Sequence, residues 1–119
     1  IDMEVFNQIV ELNDEDDGDS SFLSGMISDY LAQVDSTFNE MDKAMETKDL
    51  KKISDLGHFL KGSSAALGVK HVSLTCEKIQ NMAKGTPGDK TVEEVTSLLK
   101  RVKEEYGAAK IWLLEYRPT

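Results

Sequence analysis

The stretch His58-Phe59-Leu60-Lys61-Gly62-Ser63-Ser64-Ala65-Ala66-Leu67-Gly68 holds the residues of this chain best suited to chemistry. Histidine is the side chain whose neutral form is nucleophilic near physiological pH. On a helix, Lys61 at i+3 and Gly62 at i+4 share a side with His58. A cation there can neutralise a phosphoryl group. A residue without a side chain leaves a flat patch on which another protein's active site can land. Together these residues point to a nucleophile that accepts a phosphoryl group from a partner.

Helical geometry supports that presentation. With Ile53 set at zero, Leu56, Gly57, Leu60, Ser64 and Leu67 cluster within about 60° of it and form a core stripe. His58 lies about 140° away, flanked by Gly62 and Ala65, with Lys61 toward the edge. A mid-helix glycine costs about 1 kcal/mol relative to alanine, so Gly62 calls for a compensating benefit such as close approach by a partner. His71 stands at a helix start with no small-residue patch around it, and no role is expected of it.

Apolar residues spaced three and four apart predict helices throughout. A short helix is expected over 2–12, followed by the acidic segment 13–19. Asp19 or Ser20 is placed to cap a second helix over 20–47, whose stripe is Leu23, Ile27, Tyr30, Val34, Phe38, Met41 and Met45. A third runs over 49–67, with Gly68 as the left-handed residue that ends it. A fourth runs over 70–84, with Val72, Cys76, Ile79 and Ala83 inward. After the Gly85-Thr86-Pro87-Gly88-Asp89 loop, Thr91 and Glu94 form a capping box for a last helix over 91–116. That helix turns Val95, Leu98, Val102, Tyr106, Ala109, Leu113 and Tyr116 inward. The expected fold is all-α: one domain over 1–119, an up-down-up-down antiparallel four-helix bundle with an extra short N-terminal helix. That first helix has two apolar edges, one of Ile1, Val5, Ile9 and Leu12, the other of Met3, Phe6 and Val10.

The net charge of −8 disfavours nucleic acid and anionic membranes as partners. Charge is uneven: residues 1–47 carry one lysine against thirteen acids, while 48–84 carry seven lysines against three. His58 therefore sits in a basic island, suited to a phosphoryl group or an acidic partner. The single Cys76 allows no internal disulfide and fits a reducing compartment. No secretory signal and no membrane-length apolar run are seen, and a monomer is the default expectation.

Three rival chemistries are rejected. Asn13, Glu15, Asp17 and Gly18 fit the start of an EF-hand loop, but its twelfth position is Ser24. Asp55 and His58 match half of a di-iron element, but His71 has Gly68 at i−3. Cys76 is on the core side of its helix. The reading left in competition is a non-catalytic helical adaptor that binds partners through its N-terminal helix.

The His58–Gly68 motif resembles that of the histidine-containing phosphotransfer (HPt) domain. Its continuation Cys76-Glu77-Lys78-Ile79-Gln80-Asn81 is similar to the fungal branch, which serves osmosensing phosphorelays. The resemblance implies that His58 takes a phosphoryl group on Nε2 from a receiver-domain aspartyl phosphate of a hybrid histidine kinase, and passes it to the receiver of a response regulator. It implies roles for Lys61 and Gly62 beside the histidine, and a hydrogen bond from Gln80 near it. Docking would use Val5, Ile9, Leu12 and Met26. The implied setting is the cytoplasm and nucleus. No Gly-rich phosphate loop or kinase signature is present, so ATP use is not expected. No cofactor or metal of its own is expected; Mg²⁺ would be held by the receiver.

Overall fold

The computed structural model describes residues 1–15, 21–85 and 88–115, without the side chains of residues 10, 12–15 and 21–24. Among these described residues there are five helices: α1 (Met3–Glu15), α2 (Ser21–Glu46), α3 (Leu50–Leu67), α4 (Lys70–Ala83) and α5 (Asp89–Glu115). No strand occurs among the described residues. Helices α2 to α5 pack in chain order, and α5 closes back on α2; α1 lies against α2 and α3. This is the expected bundle with an additional N-terminal helix.

The helix ends follow local chemistry. Asp49 Oδ1 accepts from Lys52 N at 3.1 Å and caps the start of α3. Gly68 ends α3 with φ of 83°, and its N–H reaches the Ala65 and Ser64 carbonyls. The same glycine carries α1. Its carbonyl accepts from Asp2 N at 2.6 Å, and a Cβ built on it would stand 2.9 Å from the Asp2 carbonyl oxygen. Only glycine satisfies both the backbone angle and the approach.

Two boundaries differ from the sequence reading. Helix α1 runs to Glu15, three residues further than expected. Helix α5 begins at Asp89, so Thr91 lies inside it and not at the cap; Val92 N already bonds the Gly88 carbonyl at 3.1 Å. The chain after Gly88 can enter the helix directly, and Asp89 supplies the acidic residue that the N-terminal dipole favours. The proposed caps Asp19 and Ser20, and Tyr116, lie outside the described residues.

The core holds the described members of the expected stripes of α2, α4 and α5, with Leu98, Ala109 and Met45 only half-buried and Leu31, Ala44 and Leu99 added; the Leu23 side chain lies outside the described residues. On α3, Leu56 is half-buried, while Ser54 is buried because that flank faces α4. Helix α1 buries neither predicted edge as a unit. It buries the seam between them, Phe6 and Ile9, with Phe6 edge-on to Trp112 at 5.0 Å.

Polar side chains tie the layers together. The Tyr30 and Ser64 hydroxyls meet at 2.7 Å between α2 and α3. Tyr106 Oη donates to the Leu31 carbonyl at 3.3 Å. Thr75 donates to the half-buried Glu105 carboxylate. Burial pushes the Tyr30 hydroxyl up to about 12, against a smaller opposing effect of its Ser64 bond, so it stays protonated. No buried side-chain nitrogen or oxygen among the described residues lacks a partner. Removing one member of the α2–α3 pair leaves the other buried and unsatisfied. Tyr30→Phe is expected to lower stability in urea by about 1–3 kcal/mol. Adding Ser64→Ala to Tyr30→Phe should restore most of that loss; a double variant no more stable than Tyr30→Phe contradicts the pairing.

Candidate functional site

The site begins where α4 comes close to α3. Gly57 is buried in that contact: a Cβ on it would lie 3.2 Å from the Cys76 carbonyl oxygen and 3.4 Å from Gln80 N. Two serine hydroxyls hold the register. Ser54 Oγ on α3 donates to the Gln80 carbonyl at 3.2 Å, and Ser73 Oγ on α4 donates to the Lys61 carbonyl at 3.1 Å. These bonds run in opposite directions between the helices and bracket His58.

The fixed register pairs two residues of α3 with two of α4. His58 and Lys61 are three apart, as are Glu77 and Gln80, so each pair shares a helix face. The Gln80 side-chain amide stands 3.3 Å from His58 Nδ1. Lys61 Nζ lies 3.8 Å from Glu77 Oε2, with both side chains substantially exposed, at 39% and 47%. So long and wet an ion pair is worth at most about 1 kcal/mol, which leaves the ammonium available to another anion.

His58 itself is exposed, next to exposed Gly62 and Ala65. Nothing approaches within 4 Å of a Cβ built on Gly62. The face above the imidazole is therefore open, and Nδ1 is the ring nitrogen occupied from within. Nε2 is left for a reaction partner. Phe59, 47% exposed, adds an apolar side chain beside this face. His71 is exposed at the start of α4, remote in sequence position from this cluster.

The expected docking residues divide. Val5 and Met26 are half-buried and packed against the core, each lining a shallow depression beside the small residues of α3: Val5 with Ala65, Met26 with Ser63 and Ala66. Ile9 is 8% exposed and belongs to the core, because α1 turns its Phe6–Ile9 seam inward. It offers a partner little surface. The Leu12 side chain lies outside the described residues.

Cys76 is fully buried, and burial, then the Glu105 charge, pushes its thiol up to about 12. That keeps it a neutral packing residue. No group of three His, Cys, Asp or Glu residues placed to hold a metal occurs among the described residues. No described helix is long and apolar enough to cross a membrane.

The sequence reading missed Ser54, Ser73 and Glu77, since none has a reactive type or motif of its own. Their signal is positional: Ser54 is one turn before His58, and Glu77 one turn before Gln80.

The fold and site define a helical bundle that presents an exposed histidine held from behind by its neighbouring helix. The Hpt domain family matches residues 25–110, and the chain belongs to that family. It is 36% identical to multistep phosphorelay regulator 1 of Schizosaccharomyces pombe, over 98% of this chain and 42% of that protein. It is 43% identical to the phosphorelay intermediate protein YPD1 of Candida albicans, over 68% of this chain and 42% of the relative. The matches thus span under half the length of these curated relatives. The fold superposes on Saccharomyces cerevisiae Ypd1, solved with the receiver domain of its downstream response regulator Ssk1. The TM-score is 0.86, at 28% identity, covering 98% of this chain and 93% of that one.

Gly62 sits mid-helix with space for a methyl group. Gly62→Ala should therefore raise stability by up to about 1 kcal/mol. A thermal melt that shows a loss of stability would reveal a contact at Gly62 absent from this structure.

Proposed function

We propose that this chain is a phosphorelay intermediate. His58 Nε2 accepts a phosphoryl group from the aspartyl phosphate of one receiver domain, as in hybrid histidine kinases, and gives it to the aspartate of a response regulator's receiver. The observation that carries this reading is the presentation of His58: exposed, held through Nδ1 by Gln80, with Nε2 facing an open patch at Gly62.

The chemistry asked of the chain is modest. It positions a nucleophile, and most of the rate comes from alignment of that nucleophile with the phosphorus. Lys61 is close enough along α3 to meet charge on the transferred group, at the expense of a weak bond to Glu77. The receiver supplies the carboxylate and the Mg²⁺ that receiver chemistry requires; no cofactor is assigned to this chain. The basic character of 48–84 favours approach of an acidic receiver site. The relatives' names and the solved complex with a receiver domain support the same partner class.

The adaptor alternative makes His58 incidental. Incubation with a labelled phospho-receiver, without ATP, separates the two readings. The wild-type chain should gain acid-labile, base-stable label, and His58→Gln should gain none while still binding the receiver. Label on neither protein, across several receivers, would favour the adaptor. Lys61→Ala should slow transfer by about tenfold, the loss of one charge-assisted contact in the transition state. An unchanged rate and an unchanged phosphohistidine lifetime would remove that role.

A further inference from the structure

A cation beside a phosphoryl group acts on two states of a carrier. It lowers the transition state for transfer, and it also holds the loaded state. A carrier that holds its phosphoryl group too well receives and does not give. Lys61 alone would pull His58 toward that outcome.

The structure places a competitor beside this lysine. Residues 48–84 hold only three acids, Asp49, Asp55 and Glu77. Asp49 caps α3, and Asp55 is exposed on it. Among the described ion pairs, Glu77 alone of the three meets a lysine: its Oε2 stands 3.8 Å from Lys61 Nζ. No other partner of either charged group occurs among the described residues.

Helix α4 fixes where this carboxylate stands. Ser73 and Glu77 are four apart and share a face of the helix. Both are half-buried, and Ser73 Oγ donates to the Lys61 carbonyl at 3.1 Å. Lys61 is half-buried too, so its stem and that of Glu77 are partly covered while their charged ends reach solvent. His58 lies one turn before Lys61 on α3. Neighbours three apart on a helix stand about 5–6 Å from each other at Cβ, inside the Debye length of about 8 Å, so the charges of this pair are felt at His58.

We propose that Glu77 sets the balance between loaded and empty His58 by competing with the phosphoryl group for Lys61; the proposal rests on the phosphorelay reading above. Glu77 touches no reacting atom and is a positioning residue that acts through Lys61. In loading, the Nε2 lone pair forms the N–P bond as the P–O bond to the first aspartate breaks, and that carboxylate takes the electron pair. In unloading, the second aspartate forms the new P–O bond, and the N–P pair returns to Nε2. No proton is exchanged in either step. The empty chain lets Lys61 return to Glu77, whereas the loaded chain leaves the carboxylate without its cation. The loaded state is thereby raised relative to the empty one, and donation is favoured.

The test is the equilibrium ratio of phospho-His58 to phospho-receiver, taken from forward and reverse transfer rates between the full chain and one receiver domain, without ATP. Glu77→Gln keeps the side chain's size and removes its charge. It should raise the ratio about threefold, and no more than about fivefold, the equivalent of one exposed ion pair. The shift should shrink as salt is raised, which the loss of a packing contact would not do. In a Lys61→Met background, Glu77→Gln should leave the ratio where Lys61→Met alone puts it. A ratio unmoved or lowered by Glu77→Gln overturns the proposal. So does a shift of equal size with and without Lys61. A wild-type chain that takes no phosphoryl group from any receiver ends the phosphorelay reading itself, and this proposal with it; a wild type that transfers while Glu77→Gln leaves the ratio unmoved ends the proposal alone.

Discussion

Everything at the site depends on how closely α4 approaches α3. The gap is set by one missing side chain, at Gly57, where the α4 backbone at Cys76 and Gln80 comes within 3.2 and 3.4 Å of the position a Cβ would take. Helices packed through larger residues stand farther apart, about 8–10 Å between axes depending on the contact residues. At the wider spacing a glutamine on α4 would not reach a ring on α3. The two serine-to-carbonyl bonds then fix the sliding register, which closeness alone does not. The surface at His58 is thus a by-product of core packing one residue away from it.

Rigidity of this kind suits a carrier. Among the described residues, Gln80 is the hydrogen-bond partner of the His58 ring, and the ring stands at the exposed surface. The chain holds an imidazole by one ring nitrogen and keeps the surroundings low: Gly62 and Ala65 beside the ring, with small residues continuing through Ser63 and Ala66. Bulky apolar side chains stand back at Val5 and Met26, where they are half covered by the bundle. A flat stripe between partly exposed apolar margins can admit partners that differ in shape, because little of it has to be matched. The Lys61–Glu77 pair adds a cation whose resting partner is weak enough to give it up.

Much of this was legible in the sequence. His58, Lys61 and Gly62 lie within one turn of a helix, where the 3.6-residue period alone decides which side each faces. The core stripe of α3 and the left-handed end at Gly68 followed from the same local rules. What was not legible depends on a second element. Gly57 was readable as inward-facing, but not as the point of closest approach to α4. Ser54 and Ser73 have no reason to matter until another helix offers them a carbonyl. The first helix shows the same limit. Its two apolar edges were plain from spacing, yet only docking against α2, α3 and Trp112 decides that the seam between them is buried, which takes Ile9 into the core. The start of α5 was misplaced because a good capping box at Thr91 competes with a chain that can already turn helical at Gly88.

The central claim is that Gly57 acts on His58 through Gln80, and a double-mutant cycle on the transfer rate tests it most directly. The cycle uses Gly57→Ala, Gln80→Leu and the double variant, each with the same phospho-receiver. Each single change should slow transfer, and the double variant should be no slower than Gln80→Leu, because the first change has no remaining target once the amide is gone. Rate losses that multiply independently would contradict the account and leave the close helix contact as packing alone.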